Sequence, residues 1–396
     1  MSPAASPLPK REGDPSLFPE TVTDGPAPQE RHSTGILPAQ LLRQMIRAGE
    51  IAAANPIAET QIQPASLDLR LGRRGWRVRA SFLPGPGNDV GRSIADLGMH
   101  EIDLGQGAVL ERGCVYIVPL QEHLKLGYRV TGFANPKSSS GRLDVFTRLI
   151  VDGAAAFDRI EDGYAGPLYA EIAPRTFSVL VREGDTLNQL RIRRGSPRTT
   201  DTSLKRLQEE VTLVHGREDG ADIDHGIAVS VDLAGEGQGA LIGYRARRHT
   251  GLIDLGKVDH YDPLDFWEPI HRRGPARLIL DPDDFYILAS REAVTVPPDH
   301  AAEMQPFNPL VGEFRVHYAG FFDPGFGHAG ADGQGARAVL EIRSREVPFV
   351  LEHGQTVARL IYERLTAQPD KVYGPGIGSS YQRQGLQLSK QFKRRF

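Results

Sequence analysis

Among 396 residues there is one cysteine, Cys114. No disulfide can form within the chain, and so sparing a use of thiols fits a reducing, cytoplasmic setting. The same scarcity excludes a zinc-activated hydrolytic site built on a Cys pair with a further His or Cys ligand and a nearby glutamate. No H-x-E followed by C-x-x-C occurs, and the 12 histidines show no paired ligand spacing. Long hydrophobic runs are missing too. None approaches the ~18 residues a membrane-spanning helix needs. Net charge is only −3, so nucleic acid and anionic membranes are not generally attracted, and any polyanion site must be local. No dinucleotide fingerprint or P-loop is present: the glycines from Gly325 to Gly335 lack the lysine and the strand-to-helix setting. Residues 1–34 are rich in Pro, Glu, Asp, Ser and Gly and have no apolar h-region. They read as a disordered tail and not as a signal peptide.

What is plentiful is turn chemistry. There are 43 glycines and 29 prolines beside 40% hydrophobic residues, which suits a mainly β, turn-rich architecture with a real core. Gly35 to Ile51 is expected to be helical, because Leu37, Leu41, Leu42, Met45 and Ile46 recur at helical spacing before Gly49. After it come short segments of period-two alternation, such as Ser66 to Leu71, Val115 to Val118, Phe177 to Val181 and Ala338 to Ile342. Ser203 to Glu210 is expected as a short helix.

The chain also contains itself twice. At a shift of 170 residues (285 − 115), Val115-Tyr116-Ile117 falls on Phe285-Tyr286-Ile287 and Pro136 on Pro306. Glu171-Ile172 falls on Glu341-Ile342, and Gly184, Thr186 and Leu190 fall on Gly354, Thr356 and Leu360. One frame held over that distance argues for a duplicated module. The expected division is a tail at 1–34, a first β domain at 35–200, a linker at 201–225, a second β domain at 226–372 and a C-terminal tail at 373–396. The second copy restarts near Gly226, where Ser230-Val231-Asp232-Leu233 echoes Ser66-Leu67-Asp68-Leu69.

Four features carry possible chemistry. First, alternation places Val339 and Glu341 on one strand face and Ala338, Leu340 and Ile342 on the other. Tyr169 and Glu171 repeat this in copy one. A carboxylate among apolar neighbours can be desolvated and its pKa raised, as a general acid/base requires; a solvent-facing strand glutamate would look the same. Second, Lys137-Ser138-Ser139-Ser140-Gly141-Arg142 offers backbone N–H groups, hydroxyls and two cations in one turn, a receptor for phosphate or an oxyanion, or a polar surface turn. Copy two has the apolar Phe307 to Gly312 there. Third, Asp323 sits at a tight Pro324-Gly325 turn, as a site carboxylate or as an ordinary turn-capping Asp. Fourth, the tail from Tyr373 is Gly-rich, then Tyr381-Gln382-Arg383-Gln384-Gly385, then basic: an arm that folds over a charged ligand, or a disordered solubilising tail.

Together these pieces resemble the dCTP deaminases of the trimeric dUTPase superfamily. Pro136 to Arg142 is similar to the family's K/R-S-S-x-x-R element. Ala319 with Asp323-Pro324-Gly325, then Val339-Leu340-Glu341, then Tyr381 to Gly385 match the elements that follow, and Pro64 to Gly72 looks like the family's N-terminal stretch. The resemblance covers about 35–396 and implies two tandem β-clip (distorted β-barrel) domains with a few short helices. It implies hydrolytic deamination of dCTP to dUTP and ammonia in dTTP-precursor synthesis, with no metal at the base, no zinc, and Mg²⁺ accompanying the triphosphate. Glu341 would be the general acid/base, with Ser138 and Arg142 as its catalytic partners. Lys137, Ser139, Ala319, Asp323, Val339, Tyr373, Tyr381 and Gln384 would contact the nucleotide. Implied partners are dCTP or dUTP, dTTP as an inhibitor, and further copies in a homo-oligomer, with no nucleic acid or membrane. The family builds its site between two copies, and here copy one keeps the cationic loop while copy two keeps the acceptor half. A competing assignment stays open in which copy one alone supplies Ser138, Arg142 and Glu171 and three such copies form ordinary sites, leaving copy two structural; a dUTP diphosphatase, a bifunctional enzyme and a non-catalytic nucleotide-binding module stay open too.

Overall fold

A computed structural model describes residues 33–217, 220–235, 239–306, 314–316, 320–328, 334–374 and 385–394. Of the expected N-terminal tail, only Ser33 and Thr34 fall among them.

The first helix is shorter than its hydrophobic spacing suggests. It runs Ala39–Arg47, preceded by a strand at Gly35–Ile36 and followed by one at Ile51–Ala53. Pro38 is the cause at one end: it holds an extended backbone and forces the residue before it out of the helical region, so Leu37 cannot be helical. At the other end Gly49 takes φ +74°, the left-handed conformation that closes helices. Gly35–Ile36 instead pairs with Arg193 and Arg194. The expected Ser203 to Glu210 helix is Asp201–Glu210, started by the Thr200 hydroxyl accepting from Ser203 N at 3.2 Å.

The rest is β-structure in two similar modules. In the first, Thr186–Arg194 pairs with both Leu67–Arg70 and Val130–Pro136, while Val115–Lys125 pairs with Arg74–Val78 and Ala165–Pro174. In the second, Thr356–Arg364 pairs with Ile227–Ser230 and His300–Pro306, and Phe285–Val294 pairs with Leu241–Ala246 and Ala336–Ser344. The registers repeat with the sequence. Glu171 lies opposite Ile117 and Glu341 opposite Ile287; Asn188 lies opposite Pro136 and Ala358 opposite Pro306.

One sequence echo is corrected. Leu67 faces Leu190 and Ile227 faces Leu360, so Leu67–Arg70 corresponds to Ile227–Ser230. Ser230 therefore matches Arg70, not Ser66. A buried carboxylate confirms the frame: Glu122 accepts from Arg70 N at 2.8 Å, and Glu292 from Ser230 N at 2.7 Å.

The modules share a largely apolar junction. Tyr244, Trp267, Phe285, Ile287 and Val339 of module two are buried in one cluster with the module-one core. Phe177 meets Trp267 edge-on at 5.4 Å, an aromatic geometry that adds to plain burial. Val179 pairs in parallel with Ile253, and the buried Arg343 guanidinium reaches across to the Asp144 carboxylate and to Thr176 Oγ1. In module one the corresponding sheet face, with Val78, Ile117, Trp76 and Tyr169, is covered from within by the helix Val90–Leu97. Asp89 caps that helix by accepting from Arg92 N at 2.6 Å.

Candidate active site

The loop after Val130–Pro136 is fixed by backbone. Lys137 N donates to Leu187 O at 2.8 Å, Ser138–Gly141 makes a single helical turn, and Ser140 Oγ donates to Leu187 O at 3.1 Å. This turn delivers Arg142 into the junction. Its side chain is 3% exposed and lies with Nε 4.0 Å from Glu341 Oε1, on a carboxylate that is 7% exposed. Arg142 Nη1 donates to Gln387 O at 3.0 Å. The alternation of Ala336–Ser344 behaves as its pattern suggests: Ala338, Leu340 and Ile342 enter the module-two core, and Val339 packs against module one. Burial pushes Glu341 up from 4.5 to about 7, against the pull of Arg142. Near neutral pH such a group both gives and takes a proton.

Glu341 and Arg142 border a cavity of about 620 Å³, open mouth included. Pro136, Lys137 and Ser138 form its module-one side; Phe321, Phe322, Asp323, Val339 and Tyr373 lie on the other. The Asp323-Pro324-Gly325 turn needs its glycine, which takes φ +90°. Tyr373 N donates to Pro324 O at 2.6 Å and its ring lies 5.5 Å from Phe326, so the start of the C-terminal segment is pinned beside Asp323. Its far end is pinned too: Ser389 Oγ donates to Ser139 O at 2.9 Å, and Phe392 packs among Tyr261, Phe266 and Trp267.

The structure thus gathers Glu341, Ser138, Arg142, Lys137, Asp323, Val339 and Tyr373 at one cavity within one chain. Ala319, Tyr381 and Gln384 lie outside the described residues. Two of the expected residues lie away from the cavity. Ser139 does not line the cavity; its described role is the carbonyl that receives Ser389. Glu171 does not line it either. It is buried against Arg148, whose Nε donates to Oε1 at 3.0 Å while the guanidinium lies 3.4 Å over the Phe157 ring. Within this chain Glu171 is therefore paired with Arg148 and not with Arg142, which meets Glu341 instead. The space is filled as well. Ala134 N donates to Asp158 O, and Met304 N to Gly320 O, each at 3.0 Å, so Asp158 stands in module one where Gly320 lines the cavity in module two.

Two neighbours were not legible as site residues. Lys137 Nζ is held by the buried Asp68 carboxylate and by Thr186 Oγ1 at 3.0 Å. Burial raises the Asp68 pKa, and Lys137 opposes it. Arg191, wholly buried, bonds Ala302 O and Phe322 O at 2.9 Å and Asp323 Oδ1 at 3.2 Å. An arginine in Leu190-Arg191-Ile192-Arg193 reads as one of a solvent-facing pair, so only the docking of the modules reveals it. Among the described residues one group has metal-ligand spacing, Asp201, Asp224 and His225, with ligand atoms within 4.8 Å. None of the three lines the cavity.

Family models cover nearly the whole described chain. One described as the 2′-deoxycytidine 5′-triphosphate deaminase N-terminal domain matches residues 33–196, and one described as the C-terminal domain of the same protein matches 200–392. A protein from Clavibacter michiganensis, named dCTP deaminase, dUMP-forming, is 31% identical over 182 residues, covering 43% of this chain and 86% of its own. One of the same name from Halobacterium salinarum is 35% identical over 117 residues, 28% of this chain; the match spans 55% of that relative. The crystal structure of a 2′-deoxycytidine 5′-triphosphate deaminase from Agrobacterium tumefaciens is 56% identical, with a TM-score of 0.81 over 84% of this chain and 100% of that one.

Proposed function

This chain belongs to the dCTP deaminase family, and on that premise we propose that it is a hydrolase converting dCTP and water to dUTP and ammonia. The observation that carries the mechanism is the meeting of Arg142 and Glu341 across the junction, in a cavity that lifts Glu341 to about 7. Glu341, ionised, takes a proton from water as the oxygen attacks C4 of cytosine. The protonated Glu341 then returns that proton to ring N3, takes the proton of the C4 hydroxyl and passes it to the exocyclic amine, so that ammonia leaves as the C4 carbonyl forms. Arg142 and Ser138 hold the water and the developing charge; one such fixed donor is typically worth roughly 3 kcal/mol. Val339 meets the pyrimidine edge and Asp323 the deoxyribose.

Phosphate is received at the Lys137 end. Lys390 adds a second cation there. Burial lowers its pKa, Lys137 lowers it further, and Asp68 and Asp185 oppose this. Mg²⁺ is read as arriving on the triphosphate, where it offsets phosphate charge, with no carboxylate of the cavity assigned to it.

The test is Glu341→Gln. Ammonia release from dCTP should fall by roughly 10²–10⁴-fold, the usual range for losing a general acid/base, while dCTP still binds. A near-normal rate would overturn the assignment. A second reading, release of dUMP and pyrophosphate, is favoured by the names of the relatives. Pyrophosphate and ammonia measured together separate the two: equal amounts of both from dCTP identify the dUMP-forming reaction.

A further inference from the structure

Arg191 comes from the module-one strand Thr186–Arg194, yet all the described hydrogen bonds of its side chain are to module two. Nη1 holds Ala302 O, and Nη2 holds both Phe322 O and Asp323 Oδ1. The guanidinium lies 4.0 Å over the Phe321 ring, and Phe321 in turn meets Phe133 of module one edge-on at 5.2 Å. One planar fork thus fixes three consecutive residues of the cavity wall, Phe321, Phe322 and Asp323. The duplication frame marks this as special to the site: residue 361, matching Arg191 in copy two, is isoleucine.

We infer that Arg191 is a positioning residue that sets Asp323 as the hydrogen-bond acceptor for the sugar hydroxyl of the substrate. This rests on the proposed placement of Asp323 at the deoxyribose. An ionised carboxylate only accepts, so it favours a sugar that offers a hydroxyl donor. The Asp323 side chain is 12% exposed, and its burial raises its pKa; Arg191 is the main force in the other direction, with Asp68 adding to the rise. Without Arg191 the carboxyl loses its fixed direction and the largest pull against that rise, and the preference for a hydroxyl-bearing sugar goes with it. Lysine is not an equivalent, because a point charge cannot span three acceptors as the guanidinium fork does.

The test compares kcat/KM for dCTP with that for its 2′,3′-dideoxy analogue, which lacks the 3′-hydroxyl. A hydrogen bond to a charged group implies a wild-type preference for dCTP of roughly 10–100-fold. In Arg191→Met that ratio should fall toward one, mainly through loss on dCTP, matching Asp323→Asn, while the pH limb set by Glu341 stays in place. Arg191→Lys should restore only part of the ratio, and it carries the test should Arg191→Met not fold. Equal losses on both substrates with the ratio intact would make Arg191 merely structural and overturn the inference. If wild type releases ammonia from dCTP and Asp323→Asn abolishes the preference but Arg191→Met keeps it, the inference alone falls. If wild type shows no preference, the placement of Asp323 falls first.

Discussion

Replacing Glu341 by glutamine should make the protein more stable as pH rises. The folded carboxyl titrates near 7 and the unfolded one near its ordinary 4.5, so the folded state binds the proton more tightly. Below pH 4.5 both states are protonated, and ionisation contributes nothing. Between 4.5 and 7 the unfolded chain releases its proton first, and the folded state is increasingly penalised; above 7 the penalty is constant. The difference of about 2.5 between the two pKa values, at about 1.36 kcal/mol each, gives a plateau of about 3 kcal/mol. Glutamine keeps the shape of the acid and cannot ionise. Chemical denaturation of both proteins from pH 4.5 to 8 should show the variant gaining about 3 kcal/mol relative to wild type. Other titrating groups are common to both proteins and cancel in the difference. A difference that stays flat over that range would mean Glu341 is not desolvated, and the acid/base role would lose its physical basis.

Other outcomes follow from the junction and from the Arg148–Glu171 pair of module one. Arg343→Met, which strands the buried Asp144 carboxylate, should cost about 3–5 kcal/mol of stability, with much of it recovered by adding Asp144→Asn, which removes the charge and tolerates the left-handed backbone there; calorimetry of the single and double variants checks this. Glu171→Gln should cost about 2 kcal/mol, less than a fully buried pair because Arg148 is partly exposed. It should leave kcat for dCTP unchanged, and isothermal titration should count one nucleotide per chain in wild type.

The sequence made some of this legible for local reasons. Period-two alternation placed Val339 and Glu341 on one face because a strand has no other choice, and recurrence singled out Glu341. The composition of Lys137 to Arg142 marked an anion receptor. What stayed hidden depends on which faces meet. Arg191 looks like an exposed charge until module two is laid over it. Asp68 is an ordinary strand residue until Lys137 folds back onto it. The fate of Glu171 turned on Arg148 and Phe157, distant in sequence from it and without a shared motif. Apolar spacing extended the first helix into residues that Pro38 and Gly49 exclude, and the similarity of two Asp-Leu pairs hid the four-residue slip that strand pairing revealed.

The joining of loop and carboxylate within one polypeptide changes how inactive variants should combine. In an assembly that shares sites between chains, mixing a loop-deficient subunit with a carboxylate-deficient one regenerates some intact centres. Here Arg142 and Glu341 are inherited together, so a mixture of two such defective chains rebuilds none, and dilution cannot separate the halves of the centre.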